Sequence, residues 1–306
     1  MPFKWRATFN FDYPLLDKPI DVDGIKLYPS QPDNDKKPSC VNYYEFETND
    51  VGDTGNTEAL AKSQERLKEL VELSSLAKYR TDVSLHSLIL IDTHANQGFQ
   101  AGGVNFNFGG GPYFPPGQDP AVIRQELENS SQFFITLRQL NAQRQKILRR
   151  SLRWLYRASD PKLLGDEKLI YGWISFNALY TLYKTISNHH VNSERDCIQE
   201  FEGTFRGAVG HLSSNITQLA QAGIQLTRGA NRDVSLNLQN SIANNSQDKV
   251  HMALECIYAV RCSLFHGDEE PIIEDSDPLF MTCSRYLNEY LKSVIGPFIN
   301  YCNNNP

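Results

Sequence analysis

The 306-residue sequence has no long apolar segment and few of the patterns that mark secreted or metal-binding proteins. No run approaches the roughly 18 apolar residues that a membrane-spanning helix requires, which excludes that class of protein. The basic residues near the N-terminus are followed by no apolar segment, so we expect no signal peptide and a cytoplasmic location. The six cysteines are scattered and no Cys-x-x-Cys pair occurs, so we expect free thiols and no zinc site of the usual spacing.

Patterns for binding phosphate groups and metals are also missing. Gly109-Gly110-Gly111 lacks the Gly-Lys-Ser/Thr ending of a phosphate loop, and no Gly-x-Gly-x-x-Gly follows a predicted strand. His189 and His190 have no third or fourth ligand that the sequence can place, so we expect no metal. These absences argue against a kinase or nucleotidyltransferase and against any cofactor. The net charge of -6 argues against a protein that coats nucleic acid, although it is compatible with a local basic groove.

What the sequence does contain indicates an α+β protein of two domains. Hydrophobic residues make up 40% of the chain and charged residues 22%, which is enough apolar material for real cores. Residues 1–118 predict a small mixed α/β domain, and residues 119–306 predict an all-helical domain. The Gly- and Pro-rich segment 109–118 is the predicted linker between them.

Alternating apolar residues and turn signals predict the elements of the first domain. Asp23-Gly24 between two short apolar runs is a strong hairpin signal. The predicted strands are 4–11, 20–22, 25–27, 41–46, 83–91 and 104–108, with a helix that begins near Thr57. Helical spacing predicts the elements of the second domain. The predicted helices cover 119–158 with one possible break, 166–186, 193–206, 215–225, 248–265 and 277–302, and 227–247 is a loop or a weak helix.

The helix predicted at 248–265 carries an arginine on its apolar side. On a helical wheel the apolar residues cluster around Arg261: Val250, Leu254, Ile257, Tyr258, Leu264 and Phe265. An unpaired cation there is costly, so Arg261 must reach a carboxylate, a phosphate or a subunit interface. Gly267 is a natural residue to follow a helix end, which places His266 at the negative end of the helix dipole, where its protonated form is favoured.

An arginine and a histidine are sufficient to cut RNA without a metal. The neighbouring 2′-OH attacks the phosphodiester, and the reaction needs a proton acceptor, a proton donor and positive charge on the developing phosphorane. Histidine can exchange the protons, and arginine can hold the phosphate in a bidentate fork. The alternatives are a structural ion pair for Arg261 and a helix-capping role for His266.

The segment from Tyr258 to Gly267, with Arg261 and His266 five positions apart, resembles the final-helix signature of HEPN domains (higher eukaryotes and prokaryotes nucleotide-binding). The aromatic segment 171–180 is similar to an earlier helix of that family. The resemblance covers roughly 119–302 and implies a bundle of about four to five helices that dimerises into one composite RNA-cleaving site. It implies a metal-independent endoribonuclease of the kind found in antiviral defence or toxin-like growth arrest.

Within this resemblance, Arg261 and His266 are the catalytic candidates. Asn177, Tyr258 and Cys262 are supporting candidates. Active members often have Asn, Asp or His directly after the arginine, and here that residue is Cys262, a poor hydrogen-bond donor. The departure favours an alternative function, a non-catalytic HEPN module that binds RNA or protein and assembles a larger defence complex.

The predicted partners are an RNA substrate, single-stranded RNA or tRNA, and a second copy of the chain. A regulatory protein or nucleic acid is expected to dock on residues 1–118. One helical face of 144–157 concentrates basic residues that can guide RNA toward the site: Lys146, Arg149, Arg150, Arg153 and Arg157. Trp154 and Tyr156 are candidates for stacking on bases. The alternative is a solvated face paired with acidic residues such as Glu167, Glu200 and Glu202.

Overall fold

The structure is a computed structural model of the chain. It describes residues 2–11, 20–22, 25–29, 40–50, 52–76, 83–91, 120–188, 193–209, 212–222, 224–226, 232–266 and 278–306. The chain forms two compact units, Met1–Ile135 and Thr136–Pro306. The predicted α+β class is confirmed, with a sheet near the N-terminus and a helical C-terminal region. The predicted linker 109–118 and the predicted domain boundary lie outside the described residues.

An antiparallel sheet with the order β2-β3-β4-β1-β5 organises the first unit. Its strands are β1 (Phe3–Phe11), β2 (Ile20–Val22), β3 (Ile25–Pro29), β4 (Cys40–Thr48) and β5 (Val83–Ile91). The helix α1 (Asp53–Leu76) packs against the sheet. The predicted strands at these positions and the hairpin between β2 and β3 are confirmed, and the strand predicted at 104–108 lies outside the described residues.

The alternation in β1 separates a buried face from a charged one. Trp5, Ala7 and Phe9 are buried, as the two-residue period predicts. Between them, Arg6 is exposed and lies opposite Glu45 on β4, whose carboxylate accepts a hydrogen bond at 2.7 Å from the Arg6 Nη2. The side chains on one face therefore build the core of this unit, and those on the other face form an exposed ion pair.

Helices make up most of the rest of the chain. They are α2 (Pro120–Gln139), α3 (Ala142–Ala158), α4 (Gly165–Ser187), α5 (Glu194–Phe205), α6 (Ser213–Ala220), α7 (Val234–Ala243), α8 (Lys249–His266) and α9 (Pro278–Asn304). The predicted break in 119–158 occurs at 140–141, where the Asn141 side chain accepts a hydrogen bond from the Arg144 backbone and caps α3. A short 3-10 helix (Arg206–Ala208) and a two-stranded ribbon, β6 (Gln225–Leu226) with β7 (Arg232–Asp233), complete the second unit.

An aromatic core holds the second unit together around α4, which contacts α3, α5, α8 and α9. Phe176 on α4 meets Phe201 of α5 edge-on at 5.8 Å between ring centroids, and Tyr290 of α9 at 5.6 Å. Edge-to-face aromatic pairs are directional, so these contacts fix the rotation of α4 in the bundle. Trp173 and Tyr180 lie one turn before and one turn after Phe176, and their positions are fixed with it.

In the described part of the chain, no helix is both long enough and apolar enough to cross a membrane. In the same residues, no group of three or more His, Cys, Asp and Glu side chains is close enough to hold a metal ion. His189 and His190 lie outside the described residues.

Candidate active site around Arg261

Arg261 lies on α8 with most of its side chain covered, and 22% of it is exposed. Behind it, Leu254 and Ile257 are fully buried, as the apolar stripe of the sequence predicts. Phe265 departs from that prediction, because its ring is 53% exposed at the surface. The arginine therefore stands at the edge of the apolar core, where its guanidinium is partly dehydrated and can still be reached from solvent.

Two aromatic rings flank the guanidinium of Arg261. Its Cζ lies 5.5 Å from the ring centroid of Trp173 on α4 and 4.8 Å from that of Phe265 on its own helix. A cation in such a position gains about 0.5–2 kcal/mol from the ring faces, depending on how dry the site is. The rings restrict where the guanidinium can move.

The sequence predicts that Arg261 reaches a carboxylate, a phosphate or a subunit interface. In the structure it faces a carboxylate, that of Glu194, the first residue of α5. The Glu194 Oε2 lies 3.9 Å from the Arg261 Nη1, at the long end of an ion pair. The other oxygen, Oε1, accepts a hydrogen bond from the hydroxyl of Tyr180 on α4. Burial, and then this hydrogen bond to Glu194, raise the pKa of Tyr180, so the phenol remains a proton donor.

The Arg261 guanidinium keeps unused hydrogen-bonding capacity. Among the described residues, its Nε is enclosed and has no hydrogen-bond partner. Within the described part of the chain, the Nη1 has the long contact to Glu194 and a 3.9 Å contact to the Cys262 sulfur. Buried polar atoms are nearly always hydrogen-bonded, so the Nε of this arginine is an unusual open donor.

Tyr258 and Cys262, two of the supporting candidates, lie beside Arg261 one helical turn apart. The Tyr258 ring is 5.9 Å from that of Trp173. Burial, followed by interaction with the Cys262 thiol, raises the pKa of Tyr258 to about 12. The Tyr258 phenol is therefore a neutral neighbour of the guanidinium near neutral pH.

Asn177, the third supporting candidate, is exposed on α4. Its side-chain oxygen accepts a hydrogen bond at 2.9 Å from the hydroxyl of Thr181, on the same helix. The described contacts do not bring it to Arg261, whereas Trp173 on the same helix does contact the guanidinium. The functional neighbour on α4 is thus the aromatic ring one turn earlier.

His266 is the last residue of α8 that the structure describes, so the helix predicted over 248–265 is confirmed and its end at His266 stays a prediction. Its side chain, Gly267 and the acidic residues that follow lie outside the described residues. The backbone position puts this histidine at the C-terminal end of the helix dipole, where a protonated imidazole is stabilised.

The predicted RNA-contacting residues occupy the outer face of α3. Arg149 is half-buried, and the other four are exposed: Lys146, Arg150, Arg153 and Arg157. On the inner face Leu148, Leu152 and Leu155 are fully buried, as predicted. Arg157 pairs with Asp160 at 3.4 Å, an exposed contact that contributes little to stability.

Trp154 on the same helix has an intramolecular partner. Its ring stacks on Tyr171 of α4 with centroids 5.3 Å apart and an interplanar angle of 16°. This stacking covers one face of the Trp154 ring, which the sequence predicted to stack on an RNA base. The acidic residues expected to pair with α3 also act elsewhere: Glu202 binds Arg206, and Glu167 accepts from the Leu164 backbone at the start of α4.

Sequence reasoning missed Glu194, although two signals point to it. It follows Ser193, a good helix cap, and an acid in the first turn of a helix is stabilised by the dipole. The pairing of Glu194 with Arg261 could not be predicted, because the two residues are far apart along the chain and meet through the packing of α4, α5 and α8.

No family model matches the chain, and no curated protein or solved structure matches it either. The interpretation of the site therefore depends on the residues around Arg261 and on their geometry.

Proposed function

We propose that the second unit is a metal-independent endoribonuclease in which Arg261 binds the scissile phosphate and His266 transfers protons. The observation that carries the proposal is the state of the Arg261 guanidinium, which is flanked by two rings and has an unpartnered Nε among the described residues. A phosphate that receives two hydrogen bonds from this guanidinium would satisfy the groups that the protein leaves open.

A residue of this chain can be assigned to each step of the proposed reaction. The guanidinium of Arg261 holds the phosphate and offsets the charge that builds on it as the 2′-OH attacks. His266, at the end of α8, accepts the proton of that hydroxyl or donates a proton to the leaving 5′-oxygen. A second copy of the chain would supply the complementary Arg and His, because one histidine cannot serve as acid and base at the same time.

The same proposal assigns roles to the neighbours. Glu194 and Tyr180 orient the arginine, and Tyr258 and Cys262 contribute polar contacts. The exposed basic side chains of α3 attract single-stranded RNA or tRNA from a distance. Residues 1–118 dock a regulator that holds the nuclease in check. The setting is cytoplasmic antiviral defence or toxin-like growth arrest.

A second function is favoured by the Glu194 contact. An arginine that already faces a carboxylate at 3.9 Å is compatible with a structural ion pair. The unit would then be a non-catalytic HEPN module that binds RNA or protein and assembles a larger defence complex. Cys262 in place of a stronger hydrogen-bond donor favours the same alternative.

RNA cleavage in the presence of EDTA distinguishes the two functions. We expect the wild type to leave 2′,3′-cyclic phosphate ends, and Arg261→Ala and His266→Ala to lower the rate at least about a hundredfold. The matched control is Arg285→Ala, an exposed arginine on α9, which should cleave like the wild type.

The competing outcome is equally specific. Wild type that binds RNA or a partner but leaves both structured and unstructured RNA intact would contradict the nuclease proposal. The same holds if expression of the wild type and of His266→Ala slows cell growth equally, because toxicity would then not depend on cleavage.

A further inference from the structure

A polar cleft of about 560 Å³ lies between α5, α7 and α8. Its lining consists of Gln199, Asn237, Asn240, Ser241, Asp248, His251, Met252 and Glu255. Arg261 does not line it. The volume is within the roughly 300–1,000 Å³ of small-molecule sites in proteins.

The lining residues on α7 and α8 recur at helical spacing, so each of these two helices turns one face to the cleft, and α5 contributes Gln199. On α7, Asn237, Asn240 and Ser241 are three and four positions apart. On α8, His251 and Glu255 are four positions apart, and both are 8% exposed. The α8 pair is thus part of the buried structure and differs from an ordinary solvated helix face.

His251 is incompletely satisfied. Its Nε2 lies 3.6 Å from a carboxylate oxygen of Glu255. Its Nδ1 is enclosed and has no hydrogen-bond partner among the described residues. An imidazole nitrogen that is removed from water and left without a partner is rare, so the protein's own groups leave this wall of the cleft incompletely satisfied.

The two carboxylates that line the cleft both have an arginine nearby. Glu255 forms an ion pair with Arg195, one turn before Gln199 on α5. Asp248 lies 3.6 Å from Arg206, which also binds Glu202 at 2.8 Å. The lining itself therefore offers no cation to a strong anion, and neither lining carboxylate stands alone for a strong cation.

We propose that this cleft binds a small uncharged molecule with several hydroxyl groups, of the sugar or polyol class. Carboxamide side chains both donate and accept hydrogen bonds, and the serine hydroxyl does the same, which matches a ligand whose groups also do both. The His251 imidazole at the cleft wall and the Met252 side chain complete a surface for a compact ring.

Two other ligand classes fit less well. No lysine or arginine lines the cleft among the described residues, so a phosphate lacks the cation that usually binds it. No Phe, Tyr or Trp lines it in that part of the chain either, so a nucleobase lacks a stacking surface. The inference is independent of the proposed nuclease activity.

Saturation-transfer NMR on the full chain tests the proposal with D-ribose and D-glucose as probes. Adenosine, inorganic phosphate and spermidine represent the other ligand classes. We expect at least one of the two sugars to bind, and the double variant Asn237→Ala/Asn240→Ala to raise its Kd about tenfold or more. These side chains are at least partly exposed, so the variant should fold.

Two further variants keep the result decisive. Gln218→Ala removes an exposed carboxamide outside the cleft and should leave the Kd unchanged, whereas Asn240→Phe should obstruct the cleft and abolish binding. The proposal is overturned if neither sugar binds, or if the cleft variants bind as well as the wild type. It is also overturned if binding that depends on Asn237 and Asn240 is found for phosphate or spermidine, or for adenosine but not for ribose.

Discussion

Two tyrosines in the helical unit differ in whether the buried hydroxyl has a partner. The Tyr180 hydroxyl donates to Glu194. The Tyr286 hydroxyl is enclosed and has no hydrogen-bond partner among the described residues. Burial raises the pKa of both phenols, so both stay protonated. The same substitution at the two positions therefore isolates the contribution of one hydrogen bond.

Tyr180→Phe should lower the free energy of unfolding by about 1–2 kcal/mol, because the Glu194 oxygen loses its donor in a half-buried site. Tyr286→Phe, the matched control, should change it by less than about 0.5 kcal/mol or raise it, since no bond is lost there. Urea denaturation of both variants measures the difference. Equal effects at the two positions would mean that the Tyr180–Glu194 contact does not stabilise the fold.

Much of the environment of Arg261 could be predicted from single residues. The apolar neighbours at helical spacing required a partner for the cation, and the chain provides Glu194. The identity of that partner could not be predicted, because it comes from a helix remote in sequence. Trp173 was part of the aromatic segment that the sequence singled out, whereas its position over the guanidinium depends on the packing of α4 against α8.

At the scale of elements, the first turn of α5 connects the two sites. Ser193 caps the helix by accepting a hydrogen bond at 3.1 Å from the Asp196 backbone. The next two residues reach different parts of α8: Glu194 faces Arg261, and Arg195 pairs with Glu255 in the wall of the cleft. One helix end thus positions both side chains.

Ser193→Ala should therefore weaken the helix cap and also loosen the turn that positions Glu194 and Arg195. We expect a loss of about 1 kcal/mol in the free energy of unfolding and faster amide hydrogen exchange in the first turn of α5. Ser187→Ala is the control, since its hydroxyl makes only a weak 3.4 Å contact at the end of α4. Exchange rates in α5 that match those of the wild type would show that the cap does not hold this turn.

Helix boundaries followed the sequence where capping residues mark them. Ser193 before α5 and Asn141 before α3 act as caps. The secondary structure of residues 227–247 was harder to predict, because Asn and Ser side chains compete with the helical backbone for hydrogen bonds. The structure has a helix there, α7, since Val234 and Leu238 are buried one turn apart and packing compensates for weak propensity.

At the scale of the whole molecule, the proposed composite site requires a second copy, and exposed apolar side chains are the candidates for contact with it. Among the described residues, the large hydrophobic side chains that are exposed are Phe265, at 53%, and Leu236, at 50%. Phe265 stands over the Arg261 guanidinium, whereas Leu236 lies on α7. A composite active site requires the two copies to meet near Arg261, which makes Phe265 the better candidate for the interface.

Phe265→Ser should dissociate the dimer that the proposed nuclease requires. Burying a fully exposed phenylalanine side chain contributes about 1.5–3 kcal/mol. Phe265 is 53% exposed and a two-fold interface contains it twice, so the dimer Kd should rise at least about tenfold. Leu236→Ser should leave it unchanged. Sedimentation equilibrium over a range of concentrations gives both constants, and RNA cleavage by Phe265→Ser should fall with the dimer fraction. A wild type that stays monomeric throughout, or a Phe265→Ser protein that dimerises like the Leu236→Ser control, would contradict the composite site.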